Sequence, residues 1–177
     1  MGKEIEKKYL IREDGIEFAT NALRQIYGSV GLLEKDVMKH GLRIRQGYLP
    51  YNTGMELAAS LRLEITFDVD EIRLREKGDK YYLTLKSQGG LSRSELETEI
   101  SSVLFDKFWS KTSGGALQKV RLRKPYQGHS VEIDVYTDRD LIVAEVEVPT
   151  SKDAEELVPL GKDVSNDDRY KNKNLAR

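Results

Sequence analysis

Glu4-Ile5-Glu6-Lys7-Lys8 carries an ionisable side chain at every second position: Glu4, Glu6 and Lys8. On an extended chain successive side chains point to opposite faces, so these three share one face. Two carboxylates and an ammonium in a row can hold a divalent cation beside an anion. A single stripe of this kind is usually the solvated side of an edge strand. Its weight here comes from repetition, because similar stripes return along the whole chain.

Arg73 and Arg75 share a face, with Ile72 and Leu74 on the other. Lys86 lies opposite Leu83 and Leu85. Arg93, Glu95, Glu97 and Glu99 alternate with Leu96 and Ile100, and Lys119, Arg121 and Arg123 with Val120 and Leu122. Glu132 and Asp134 alternate with Val131, Ile133 and Val135, and Glu145 and Glu147 with Ala144, Val146 and Val148. An antiparallel sheet with one wet face would give alternation too. These polar positions, however, are nearly all formal charges, and their signs segregate by strand, whereas a face built for solubility intersperses them. Separate acidic and basic walls suit an anion held with metal: carboxylates take hard cations, and Arg and Lys take phosphate oxygens. About eight strands closed into a barrel leave room for one small ligand.

Between the stripes, Asp14 and Glu17 resemble a capping box, opening a helix that Gly28 stops. Residues 29–41 give no clear signal. Leu42–Leu49 reads as a strand closed by Pro50 and a turn at Asn52-Thr53-Gly54. Leu63, Ile65, Phe67 and Val69 alternate as a strand would, and the phase switches at Asp70-Glu71. Gly78-Asp79 is a hairpin turn, and Ser101 or Ser102 caps a helix containing Phe105 and Phe108. A short helix is expected from Ser151. The tail after Gly161 has too few apolar residues for a core element. The expected architecture is mainly β within α+β: an eight-stranded antiparallel β-barrel with a few flanking helices. One domain spans 1–177, with an insertion around 55–69.

With 33% charged residues and a net charge of −1, the chain lacks the excess of positive charge that a general nucleic-acid or membrane-surface binder needs. There is no Cys and only two His, His40 and His129, so a metal would be held by oxygen, which favours Mg²⁺ or Mn²⁺. No apolar run is long enough to span a bilayer, and the N-terminus lacks a signal-peptide core, so a cytoplasmic location is expected.

The ordered set resembles the CYTH, or triphosphate tunnel metalloenzyme, family. Glu4-x-Glu6-x-Lys8 matches the family's Glu-x-Glu-x-Lys. Then come Arg73-x-Arg75, Thr84-Leu85-Lys86, Arg93-x-Glu95-x-Glu97, Lys119-x-Arg121, Glu132-x-Asp134, Glu145-x-Glu147 and the tail from Asp168 to Asn172. Short bacterial members share the stretch Leu85 to Arg93. The resemblance implies an eight-stranded tunnel and metal-dependent hydrolysis of a triphosphate, foremost inorganic tripolyphosphate. It implies metal ligands at Glu4, Glu6, Asp134, Glu145 and Glu147, phosphate contacts at Lys8, Arg73, Arg75, Lys86 and Arg121, and water activation by Lys119. Arg93, Arg123 and Glu132 face the same way. Related branches act on thiamine triphosphate, RNA 5′-triphosphates or nucleoside triphosphates, or cyclise ATP as class IV-type adenylate cyclases. A non-catalytic polyphosphate sensor is a further alternative. The expected partner is a small anionic triphosphate, with no nucleic acid and no membrane. The oligomeric state is left open, a homodimer included.

Overall fold

The computed structural model describes residues 5–89, 93–112 and 115–176. Among the described residues the structure is mainly antiparallel β, with ten strands and six α-helices. The strands are β1 (Ile5–Glu13), β2 (Ile16–Glu17), β3 (Leu42–Tyr48), β4 (Glu71–Lys77), β5 (Lys80–Lys86), β6 (Glu95–Ile100), β7 (Ala116–Tyr126), β8 (His129–Tyr136), β9 (Leu141–Val148) and β10 (Lys162–Asp163). Eight have six residues or more; β2 and β10 have two each. The helices are α1 (Asn21–Tyr27), α2 (Val30–His40), α3 (Tyr51–Ser60), α4 (Ser102–Trp109), α5 (Ser151–Glu156) and α6 (Asn172–Leu175). Among the described residues no helix is long and apolar enough to cross a membrane.

The chain divides into two compact units, residues 1–43 with 118–170, and residues 44–117 with 171–177. In the first, the strand order is β10-β1-β9-β8-β7, with β2 pairing β1. Its long strands alternate: Tyr9, Val120, Val131, Ile133, Val135, Ala144, Val146 and Val148 point to one face. Leu23 of α1, Val30, Leu33 and Val37 of α2, and Ala154 of α5 pack on that face and bury it. A bulge at Ile11 interrupts the ladder between the pairs Leu10↔Val143 and Arg12↔Ile142, and Ile11 packs in this core alongside Tyr9. The β7–β8 hairpin turns at Gln127-Gly128, both at positive φ (49° and 77°), the backbone of a tight two-residue turn. The charged stripes of Glu6, Lys8, Arg121, Glu132, Asp134, Glu145 and Glu147 lie on the face opposite this core.

In the second unit the order is β3-β4-β5-β6. Ile72, Leu74, Leu83, Leu85 and Ile100 meet Leu57 and Ala58 of α3 and Phe105 and Phe108 of α4 in one core. The Ser101 hydroxyl accepts from the Leu104 N–H at 3.2 Å and caps α4, as its sequence position suggests. Neither run of strands closes on itself among the described residues.

Several local expectations change. Asn52-Thr53-Gly54 lies inside α3, where Gly54 packs on Ile72 so closely that a Cβ would clash. Residues 63–69 alternate in burial as a strand would, with Leu63, Ile65, Phe67 and Val69 against the core, but they pair with no strand. Alternation reports which side faces apolar neighbours; it does not supply a hydrogen-bonding partner. Residues 29–41 hold α2, capped by Ser29 accepting from Leu32 N–H. Asp14 is not a helix cap: it sits at φ 50° in the β1–β2 turn, and α1 begins only at Asn21. The polar tail carries core residues after all, with Val164, Tyr170 and Leu175 buried.

Candidate active site

In the first unit, strand register sets the charged groups side by side. Lys8 stands opposite Glu145, Glu145 opposite Glu132, and Glu132 opposite Arg123, a row across β1, β9, β8 and β7. One step along, Glu6 stands opposite Glu147. Glu6, Glu132, Glu145 and Glu147, with Arg123 and Ser130, line a cavity of about 240 Å³. The Glu6 carboxyl opens onto this cavity. It is pushed up to about 7, first by desolvation and then by repulsion from Glu145, with Lys8 pulling the other way. Glu145 shifts downward despite its burial, because Lys8, Lys119 and Arg121 favour its charge.

Asp134 is completely buried, and both its oxygens are taken. Oδ2 accepts from Lys119 Nζ and from Arg121 Nη2, each at 2.8 Å, and Oδ1 accepts from Arg121 Nε at 2.7 Å. Burial raises the energy of that charge, but the two cations outweigh it and hold the carboxyl far below its ordinary range. Lys119 is pushed down to about 8, chiefly by its burial, with Asp134 opposing the shift. Basic β7 thus lies directly beside acidic β8, so the two signs meet in ion pairs instead of forming separate walls. Lys8 Nζ donates to the backbone carbonyl of Tyr170 at 2.8 Å and lies 3.2 Å from Glu145 Oε1.

In the second unit, Arg73, Arg75 and Lys86 share a face with Gln46, Tyr48 and Thr84. Arg73 is 6% exposed. Its Nη2 donates to Thr84 Oγ1 at 3.2 Å, and the Thr84 hydroxyl in turn donates to Glu97 Oε2 at 2.8 Å. Glu97 also lies 3.5 Å from Arg73 Nη2. Among the described residues the buried Nε of Arg73 has no hydrogen-bond partner. Lys86 is shifted downward by burial and then by Arg73. Arg75 is held from the side by Gln46.

Of the residues singled out from the sequence, Glu6, Lys8, Lys119, Arg121, Asp134, Glu145 and Glu147 come together in one unit, and Arg73, Arg75 and Lys86 in the other. Glu4 lies outside the described residues. Gln46 and Tyr48 were missed; their signal was the same parity on one strand, with Leu49 on the other face. As metal donors the carboxylates fit in kind: Glu6 and Glu145 crowd negative charge that a cation would relieve, and hard oxygen ligands suit Mg²⁺ or Mn²⁺. No three Asp, Glu or His side chains among the described residues are already gathered for a metal ion.

No family model matches the chain. A Nitrosomonas europaea protein named inorganic triphosphatase is 37% identical over an alignment 143 positions long, which covers 77% of this chain and 85% of that protein. A protein of the same name from Acetivibrio thermocellus is 30% identical over an alignment 187 positions long, which covers 100% of this chain and 95% of that protein. The crystal structure of an inorganic triphosphatase, 30% identical, superposes with a TM-score of 0.61 and covers 99% of this chain and 95% of its own.

Proposed function

The chain belongs to the inorganic triphosphatase family, and on that footing we propose that it hydrolyses inorganic tripolyphosphate to diphosphate and phosphate with the help of a divalent cation. The observation that carries this reading is the Arg73 guanidinium: buried, charged, and with no partner for its Nε among the described residues. A buried donor on a cation is costly to leave unpaired, and a phosphate oxygen would pair it. The proposal takes in the triphosphate tunnel expected from the sequence, for which eight long antiparallel strands are the material.

The proposed phosphate contacts are Lys8, Arg73, Arg75, Lys86 and Arg121. Glu4, Glu6, Glu145, Glu147 and Asp134 are the proposed ligands of Mg²⁺ or Mn²⁺, and Asp134 could serve only by giving up part of its bond to Lys119 or Arg121. When bound, the cation supplies positive charge against the phosphate oxygens and acidifies water. The protein's own share is positioning and electrostatics, which dominate phosphoryl transfer. Lys119 Nζ is the proposed proton acceptor, and burial lowers it to about 8, so its neutral form is reached near physiological pH. On this reading the rate rises with pH through about 8, and Lys119→Ala removes that rise; an unchanged rate and profile would take Lys119 out of the chemistry.

The test of the function is phosphate release from tripolyphosphate, ATP and thiamine triphosphate in parallel, each with Mg²⁺, Mn²⁺ or chelator. Fast release from tripolyphosphate that chelator stops is the expected result. Cyclic AMP from ATP, or tight binding with no release, would replace the proposal with a cyclase or a sensor. Arg73→Ala should weaken tripolyphosphate binding by about 1.5–3 kcal/mol, the worth of a hydrogen bond to a charged group. Affinity within twofold of wild type would exclude Arg73 from the site.

A further inference from the structure

We propose that Gln46 is a positioning residue that fixes the guanidinium of Arg75 for the triphosphate without cancelling its charge; this rests on the phosphate-binding role proposed for Arg75. Gln46 is completely buried in β3 and stands directly opposite Arg75 in β4. Its Oε1 accepts from Arg75 Nε at 3.0 Å and from Arg75 Nη2 at 2.8 Å. Its Nε2 is engaged with the Tyr48 hydroxyl oxygen at 3.0 Å, which sets the amide with its oxygen toward the arginine. The two bonds grip one side of the planar guanidinium and fix its plane, as a carboxylate would.

The neighbouring cross-strand pair shows what a carboxylate does there. Arg45 stands opposite Glu76 and donates to it at 2.8 Å, so that arginine is neutralised by its tether. An amide at position 46 takes two N–H groups of Arg75 on its one oxygen and adds no charge. The tether itself therefore takes nothing from the attraction of Arg75 for an anion, while it removes rotamer freedom that binding would otherwise have to freeze out.

The experiment compares wild type, Gln46→Met, Gln46→Glu, Arg75→Ala and the double variant Gln46→Met/Arg75→Ala. The readouts are KM and kcat for tripolyphosphate with Mg²⁺, calorimetric binding of tripolyphosphate in chelator, and the thermal midpoint. Arg75→Ala should raise KM by about tenfold or more. Gln46→Met should raise KM most of the way to that value and change kcat far less. The double variant should be no worse than Arg75→Ala, because Gln46 acts only through the arginine. Gln46→Glu, which keeps the tether but neutralises it, should keep the thermal midpoint and still raise KM.

A KM within twofold of wild type for Gln46→Met would overturn the inference, as would multiplying effects in the double variant or a lost thermal midpoint with binding intact. Should Gln46→Met fail to fold, Gln46→Glu decides: a wild-type KM there overturns the inference too. A wild type that releases no phosphate defeats the triphosphatase reading, and tripolyphosphate binding in chelator then tests Gln46 on its own. Absence of that binding, or of any effect of Arg75→Ala, ends the inference.

Discussion

Asp134→Ala should cost about 3–5 kcal/mol of stability, the usual price of stranding buried charge. The residue lost is the hub of a triad whose three members are almost wholly withdrawn from water. Side-chain exposure is 0% for Asp134 and Lys119 and 13% for Arg121. Lys119 can escape by shedding its proton, since burial already lowers it to about 8. Arg121 cannot, and it would fall back on Glu132 at 3.1 Å and Glu145 at 3.9 Å. For a chain of this size each kcal/mol moves the thermal midpoint by roughly 2–4 °C, so the fall should be on the order of 10 °C. Thermal unfolding of the metal-free protein, followed by circular dichroism, is the right measurement. A loss below 1 kcal/mol would mean that water reaches the triad in solution.

Glu6→Ala has the opposite profile. Activity should drop at least about a hundredfold, the scale for losing one preorganised electrostatic group. The thermal midpoint should stay level or rise. The sign follows from the upward shift of the Glu6 carboxyl to about 7, caused by desolvation and by Glu145. A carboxyl raised above its unfolded value has its charged form disfavoured in the folded protein, so near and above pH 7 the native Glu6 works against stability. Removing it relieves Glu145 and Glu147 of a like charge. A site that is electrostatically uncomfortable when empty of cations is one built for something other than stability. Phosphate release at saturating Mg²⁺ and the thermal midpoint should be measured on the same preparation. Retained activity would remove Glu6 from the metal-binding set, and a collapsed midpoint would make it a structural residue.

The sequence by itself located the eight long strands and what each face carries. Alternation with period two is a local property, so β4, β5, β8 and β9 and their charged parities follow from the residues alone. The order of the paired charges along the chain also carried the resemblance, because each type of side chain had to recur at its place. Only tertiary structure decided which charges meet. Strand register set Arg121 and Lys119 against Asp134, turning stripes of opposite sign into buried ion pairs. It set Gln46 opposite Arg75, a pairing between residues 29 apart that no spacing rule reaches. Tertiary structure likewise decided that residues 63–69 lie against a core without joining a sheet. Their side chains alternate as a strand's do, but a strand is made by a hydrogen-bonding neighbour, and the neighbour is not written in the segment itself.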